Sequence, residues 1–199
     1  MKRSVTIPST IISIALGILI ATAGSQGSES YNGIALFAIC ASVSYVLHWI
    51  IFIPSYIYQT EHYFDLTGSI SYLSAIALGF YLNPSMDPRD LLIGALIAIW
   101  ALRLGTFLFM RVKQDGKDDR FTIMKTQFHW YIMTWTIGGL WVFLTMAAGL
   151  AAITSNVNVP LGVMAYLGLA LWIFGFSIEV IADRQKRNFK KQQNKDKEF

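Results

Sequence analysis

The stretch that decides the fold is residues 162–191, which read GVMAYLGLALWIFGFSIEVIADRQKRNFKK. An unbroken apolar run leads to Glu179 and Asp183 and then to a basic cluster. About 20 apolar residues cross the hydrocarbon core of a bilayer as a helix, so this stretch is predicted to span a membrane. Glu179 and Asp183 are four residues apart and share one helical face. They either face a bundle interior or a water-filled cavity as functional groups, or pair structurally with Arg184 or Lys186.

The composition indicates a polytopic membrane protein. Hydrophobic residues make up 54% of the 199 residues and charged residues 14%, whereas a soluble domain carries roughly 25% charged residues. We therefore predict an all-α integral membrane bundle over residues 1–183 and a basic cytoplasmic tail over 184–199. Runs without charge predict about six transmembrane helices, near residues 7–23, 34–58, 67–83, 91–110, 129–153 and 160–182.

The positions of the basic residues predict the orientation in the membrane. With the N-terminus inside, Lys2, Arg3, the basic residues of 111–125 and those of 184–197 all lie in the cytoplasm, which accounts for fourteen of the sixteen. Basic residues concentrate in cytoplasmic segments of membrane proteins. The sequence thus predicts an N-in, C-in protein of the cell inner (plasma) membrane. Because the net charge of +4 follows topology, it does not indicate nucleic-acid binding.

The first predicted span has a second interpretation. Lys2 and Arg3, the apolar run at 11–21 and the small residues at 21–23 also resemble a cleaved signal peptide. Cleavage would leave five spans without inverting the others. Retention is favoured, because the protein needs no separate signal once its second span can insert.

The predicted cytoplasmic link at residues 59–66, QTEHYFDL, carries two acids and neither lysine nor arginine. Asp65 directly precedes the predicted third span, and two interpretations remain open for it. It caps that helix, or it lies at the mouth of a cavity where burial keeps the carboxyl protonated and able to donate a hydrogen bond. Glu61 and His62 allow the same two interpretations.

Arg103 lies within the predicted fourth span, about 12 Å from its cytoplasmic end at 1.5 Å per residue. A guanidinium at that depth normally has a partner, either Glu179 in a structural pair or a bound cofactor. Beyond it, residues 111–121 (RVKQDGKDDRF) combine basic residues with a turn predicted at Asp115 and Gly116. This loop could hold an anion such as phosphate, or be only a positive-inside loop; it matches no nucleotide-binding fingerprint.

The sequence predicts no metal site. Its one cysteine, Cys40, has no companion for a disulfide or a zinc cluster. His48 lies in the middle of the predicted second span among apolar residues, without a companion histidine. That setting favours a hydrogen-bonded packing role over a metal ligand.

Three motifs resemble the uncharacterised bacterial branch of the steroid 5-alpha-reductase-like membrane proteins. They are YFDLTGSISYL at 63–73, WALRLGTFLFMRVKQDGKDDRF at 100–121 and IEVIADRQKRNFK at 178–190, and the resemblance extends from about Tyr31. Members of this family are multi-span helical proteins. The resemblance implies a cytoplasm-facing cavity that binds NADPH and reduces the carbon–carbon double bond of an enone.

The resemblance also implies roles for individual residues. Asp65 is similar in placement to the acid that polarises the substrate carbonyl, so that hydride reaches the β-carbon while the acid stabilises the enolate. The implied substrate is a hydrophobic lipid or sterol-like enone. Six residues correspond to cofactor-contacting positions: Arg103, Arg111, Arg120, Glu179, Asp183 and Lys190.

Two features depart from the family pattern. The predicted fourth span has no tyrosine, whereas characterised reductases pair the acid with one on that helix. The sequence ends at Phe199 without the Arg-His-Pro motif that closes over the cofactor, so we expect a truncated member or one completed by a separate chain.

Two alternative functions remain. One is a methyltransferase of the isoprenylcysteine type, because the wider superfamily shares this helical core and uses its cofactor end for S-adenosylmethionine. NADPH carries more phosphate, so the basic loop favours the reductase. The other alternative is a non-catalytic membrane protein or remnant, whose charges serve only topology and helix pairing.

Overall fold

Long helices organise the chain. The computed structural model describes residues 2–115 and 118–195, apart from the side chains at 114–115, 119, 190–191 and 193–195. A two-stranded antiparallel hairpin, β1 (Ser30–Tyr31) and β2 (Ile34–Ala35), follows the first helix, and two short 3-10 helices, Asp119–Phe121 and Met124–Thr126, follow the fourth. The described part contains six long helices: α1 (Arg3–Gly24), α2 (Leu36–Ile57), α3 (Phe64–Leu82), α4 (Pro88–Asp115), α5 (Phe128–Ile153) and α6 (Val163–Lys195).

Five of these described helices are long and apolar enough to cross a membrane: α1, α2, α4, α5 and α6. The predicted all-α integral membrane fold is thus confirmed, and the chain is a multi-pass membrane protein. At 19 residues, α3 is about 28 Å long, but it carries Asp65 and several hydroxyl side chains and is not among these five. Its hydroxyls bind its own backbone: Thr67 Oγ1 donates to the Tyr63 carbonyl at 2.6 Å, and Ser71 Oγ to the Thr67 carbonyl at 2.8 Å.

The chain divides into two compact units, Met1–Val159 and Pro160–Phe199. In the first unit α5 is the central helix, and it packs against α1, α2, α3 and α4. Its side chains Tyr131, Trp135 and Phe143 are fully buried. A helix that is apolar on all sides is expected in such an interior position. Around it, α2 packs against α3 and α3 against α4.

The backbones of α2 and α5 approach each other closely at Gly139. A Cβ atom at this position would lie 3.2 Å from Tyr45 Cα and 3.3 Å from the Ser44 carbonyl oxygen. Within a membrane, helix association depends on van der Waals packing, and small residues allow this close approach. Gly139 therefore sets the distance between α2 and the central helix.

Two aspartates organise the end of the first unit where α4 begins. The Asp90 N–H donates to Asp87 Oδ1 at 3.0 Å, and the Asp87 N–H donates to Asp90 Oδ2 at 3.2 Å. In this reciprocal cap, Asp87 directly precedes Pro88, the first residue of α4, and Asp90 lies in the first turn of the helix. The Val159 N–H also donates to Asp87 Oδ2, at 2.8 Å. Burial acts to raise the pKa of Asp87, but these donors hold it below its ordinary value, so the carboxylate ties the segment after α5 to α4.

The second unit contains α6. Its 33 residues make a helix about 50 Å long, and Trp172 stacks on Phe176 with ring centroids 4.7 Å apart. A membrane span needs only about 20 residues. The helix therefore continues through the basic segment that begins at Arg184.

We expect Gly139→Leu to destabilise the protein. The side chain would meet the α2 backbone, and overpacking a close contact costs about 1–3 kcal/mol. The measurement is the midpoint of thermal unfolding in detergent. Gly168→Leu on α6 is the matched control, because a Cβ there meets no described atom within 4 Å. Equal midpoints for the two variants would contradict the close approach of α2 and α5.

Candidate functional site

The links between α2 and α3 and between α4 and α5 meet at one end of the first unit, which we call the basic end. Aromatic packing positions them: Phe64 contacts Phe121 and Trp135, with ring centroids 5.1 Å apart in both cases. Tyr131 Oη donates to the Thr60 carbonyl at 2.7 Å. The charged residues of both links are thereby anchored to the central helix.

Glu61 joins the two links through a buried ion pair. Glu61 is only 3% exposed, and Lys125 Nζ donates a hydrogen bond to its Oε2 at 2.6 Å. The Asp118 N–H donates to Glu61 Oε1 at 3.0 Å. Burial acts to raise the pKa of Glu61, but the Lys125 and Asp118 donors hold it below its ordinary value of 4.5. Glu61 is therefore ionised at neutral pH and fastens one link to the other.

Beside this pair lies a carboxylate–arginine cluster made of Asp65, Arg111, Asp118 and Arg120. Arg111 Nη2, near the end of α4, is 3.5 Å from Asp65 Oδ2 and 3.8 Å from Asp118 Oδ2. Arg120 Nε donates to Asp118 Oδ1 at 2.9 Å. The structure thus brings together three of the residues predicted from sequence, and Asp118 connects them.

The two carboxyl groups of this cluster differ electrostatically. Burial raises the pKa of Asp65 above its ordinary value, even though Arg111 and Arg120 oppose the shift. The hydrogen bonds from Arg120 lower the pKa of Asp118, although burial opposes them. Asp65 is consequently the carboxyl group that holds a proton more readily, and Asp118 the one that stays ionised. A protonated carboxyl group can donate a hydrogen bond to a developing oxyanion.

The capping interpretation of Asp65 is wrong. Helix α3 begins at Phe64, and the capping residue is Tyr63, which makes no side-chain capping bond. Asp65 therefore lies inside the first turn, where its carboxylate is directed to Arg111. The helix starts earlier than the hydropathy pattern predicts because Phe64 packs into the aromatic cluster.

The other predicted site residues lie elsewhere on α4 and α6. Arg103 is about 12 Å before Arg111 along α4, and its guanidinium carbon is 5.4 Å from the centroid of the Phe107 ring. This distance suits a cation–π interaction. Glu179 and Asp183 belong to α6, in the second unit, where their spacing of four residues places them on one face.

Two predicted features fall outside the described residues. They are the Lys190 side chain and Gly116 of the predicted turn. Arg103, Glu179, Asp183 and Lys190 stay predicted cofactor contacts.

His48 is a packed residue. It is buried beside Trp135, with ring centroids 6.0 Å apart, and its Nδ1 is 2.6 Å from the Ser44 carbonyl oxygen. In the described part of the chain, no group of three His, Cys, Asp or Glu side chains could hold a metal ion. The predicted packing role of His48 is confirmed.

We expect Glu61→Gln to lower the free energy of unfolding by about 1–3 kcal/mol at neutral pH, because it leaves the Lys125 ammonium without its carboxylate. The pKa of Glu61 is lower in the folded state than in the unfolded chain. The ion pair therefore stabilises the protein at pH values above the unfolded-state pKa, and this stabilisation is lost as the pH falls through the folded-state pKa. Thermal unfolding at about pH 7 and about pH 3 measures the effect.

The control for this variant is Glu29→Gln. Glu29 lies before α2, and its Oε1 accepts from Ser85 Oγ at 3.0 Å. We expect the difference between wild type and Glu61→Gln to be smaller at the acidic pH. A difference of the same size at both pH values would contradict an ionised Glu61–Lys125 pair.

Comparison with known proteins identifies the family. The family described as "Protein of unknown function (DUF1295)" matches residues 48–199. Neither a curated protein nor a solved structure matches the chain. The matched range includes both links of the basic end and all of α6. The chain therefore belongs to the DUF1295 family, which falls within the steroid 5-alpha-reductase-like membrane proteins.

Proposed function

We propose that this chain is a membrane-embedded, NADPH-dependent reductase-like protein of the uncharacterised bacterial branch of its family. Its proposed substrate is the enone double bond of a lipid or sterol-like molecule, and its proposed location is the inner (plasma) membrane. The observation that carries the proposal is the position of Asp65. This carboxyl group has a raised pKa and lies 3.5 Å from an arginine at the basic end of the bundle.

Asp65 has the properties required of the acid in such a reaction. In its protonated form it donates a hydrogen bond to the substrate carbonyl oxygen and polarises the conjugated double bond. When bound, NADPH would supply the hydride that adds to the β-carbon. Asp65 would stabilise the negative charge that develops on the enolate oxygen, and a proton from water would complete the saturated product at the α-carbon.

The donor set of Arg111 and Arg120 fits a phosphate-bearing cofactor. A guanidinium carries five N–H donors in a planar fork that matches a phosphate. In the described contacts to carboxylates, Arg111 uses only Nη2, and Arg120 uses Nε and Nη2. Within the described part of the chain, each arginine thus has guanidinium nitrogens that contact no carboxylate and that suit phosphate oxygens.

The carboxylates at the basic end compete with a phosphate for the arginine side chains. Among the described side chains there, Arg111, Arg120 and Lys125 form ion pairs with Glu61, Asp65 and Asp118. Because Asp118 accepts hydrogen bonds from Arg120 and lies near Arg111, it occupies donors that a phosphate would use. A phosphate must compete with this carboxylate, and protonation of Asp65 removes one opposing charge.

We expect Asp118→Asn to bind NADPH about two- to fivefold more tightly than wild type. The substitution removes the competing charge, and a partly exposed ion pair contributes up to about 1 kcal/mol. The measurement is a titration of the detergent-purified chain with NADPH, followed by the fluorescence of its six tryptophans.

Glu29→Gln is the matched control for Asp118→Asn, because it removes the same charge far along the sequence from the cluster. S-adenosylmethionine, titrated in parallel, tests the methyltransferase alternative. Unchanged affinity for NADPH in Asp118→Asn would contradict the assignment of Arg111 and Arg120. The absence of saturable NADPH binding by the folded wild type, or saturable binding of S-adenosylmethionine instead, would contradict the reductase proposal.

We also expect Asp183→Ala to abolish NADPH binding, since the family resemblance assigns Asp183 to the nucleotide. The same fluorescence titration measures this loss. Ser177→Ala on α6 is the control, because in the described part of the chain the Ser177 hydroxyl donates to the Ile173 carbonyl of its own helix, at 2.7 Å. Circular dichroism verifies that both variants are folded. A folded Asp183→Ala protein with wild-type affinity would remove Asp183 from the proposed site.

A further inference from the structure

The C-terminal part of α6, residues 184–195, continues the helix beyond its apolar part, and we call it the basic segment. Residues 163–182 carry one charged side chain, Glu179, and their length of about 30 Å matches the hydrocarbon core of a bilayer. The helix then runs without a break to Lys195. The basic segment therefore belongs to the same helix as the apolar part and is not joined to it through a loop.

The charge of the basic segment is unbalanced. It contains six basic residues and no acidic one, and the side chains of Arg184 and Lys186 are exposed. Within the described part of the chain neither of these two forms an ion pair, whereas Arg120 and Lys125 at the basic end each contact a carboxylate. The positive charge of the segment is thus open to an anion from outside the chain.

The height of these two side chains indicates which anion they meet. Along the helix axis, Arg184 and Lys186 lie about 3 Å and 6 Å beyond Ala182, the last residue of the apolar part. The headgroup layer on each side of the hydrocarbon core is roughly 5–7 Å thick. Both side chains consequently lie at the level of lipid phosphates. Because the segment has no acid to attract the ammonium group of a zwitterionic headgroup, a lipid with net negative charge is the better partner.

We propose that the basic segment of α6 binds the headgroups of anionic glycerophospholipids in the leaflet where the helix leaves the membrane, with Arg184 and Lys186 contacting the phosphates. The remaining bases lie farther along the helix and add an attraction that falls off within a Debye length. This contact fixes the depth of α6 in the bilayer, since a shift along the membrane normal would take both side chains away from the phosphates. It does not depend on the proposed reductase site, because neither residue is a predicted cofactor contact.

The test compares phosphatidylglycerol with phosphatidylcholine of the same acyl chains. The full chain, purified in an uncharged detergent, is titrated with each lipid, and native mass spectrometry counts the bound molecules. We expect wild type to bind phosphatidylglycerol more tightly. Each basic residue near an anionic headgroup strengthens binding about fivefold at low salt. The double variant Arg184→Gln/Lys186→Gln should therefore bind phosphatidylglycerol at least about tenfold more weakly than wild type, with little change for phosphatidylcholine.

Two controls separate charge from other effects. Gln185→Ala/Asn188→Ala changes two polar residues of the same segment without changing its charge, so it should keep the preference for phosphatidylglycerol. In about 1 M salt the Debye length is only about 3 Å, and the preference of wild type should shrink. The midpoint of thermal unfolding verifies that every variant is folded.

Glycerol phosphate distinguishes a lipid from a soluble phosphate, because it carries the headgroup charge without acyl chains. We expect it not to displace phosphatidylglycerol from wild type. Displacement would assign the segment to a soluble anion and overturn the proposal. Equal affinity of wild type for the two lipids, a full preference retained in Arg184→Gln/Lys186→Gln, or a preference lost in Gln185→Ala/Asn188→Ala would each overturn it as well.

Discussion

The close packing of α2 on α5 at Gly139 is the contact on which the rest of the first unit depends. It brings the C-terminal end of α2 to the level of Tyr131, whose hydroxyl then reaches the Thr60 carbonyl. Thr60 precedes Glu61, so this hydrogen bond places Glu61 against Lys125. A larger residue at 139 would move α2 outward, and with it the link that carries the acid. The ion pairs at the basic end are therefore consequences of a helix contact deep in the bundle.

Local surroundings give three neighbouring carboxyl groups different properties. Glu61 accepts hydrogen bonds from the Lys125 ammonium and from the Asp118 N–H. Asp118 accepts hydrogen bonds from Arg120. Their ionised forms are favoured although burial opposes them. Among the described contacts, Asp65 has the longer one of 3.5 Å to Arg111, and burial prevails. Hydrogen bonds to the charged form lower a carboxyl pKa, and desolvation raises it. A site with one acid that keeps its proton and others that do not is suited to proton-assisted chemistry.

Much of this arrangement is encoded in features that a sequence shows directly. Hydropathy predicts the long helices because every membrane helix must bury its own backbone hydrogen bonds. The pairing of Glu61 with Lys125 could also have been predicted. Residues 59–66 carry acids without bases, and residues 111–125 carry an excess of bases, so the two links attract each other when the helices place them at the same end.

Other features depend on three-dimensional detail that periodicity does not contain. The start of α3 at Phe64 follows from packing of its ring against Phe121 and Trp135, and this shift removes Asp65 from the capping position. Asp118 binds Arg120 within its own loop, which no helical or strand spacing predicts. In the described part of the chain, Ser55 Oγ makes no hydrogen bond; the sequence does not reveal this, since serine in a helix usually bonds a carbonyl of the preceding turn.

The geometry of α3 places Asp65 away from the apolar groove between α2 and α3. Successive residues of a helix are about 100° apart, so Tyr63, Thr67 and Ile70 share the face that lines this groove. Asp65 and Ser69 lie on the face toward α4, where Ser69 meets Gly105 and Asp65 meets Arg111. The body of the helix consequently separates the Asp65 carboxyl group from the groove. An enone that reacts at Asp65 must therefore reach it from the α4 side of α3.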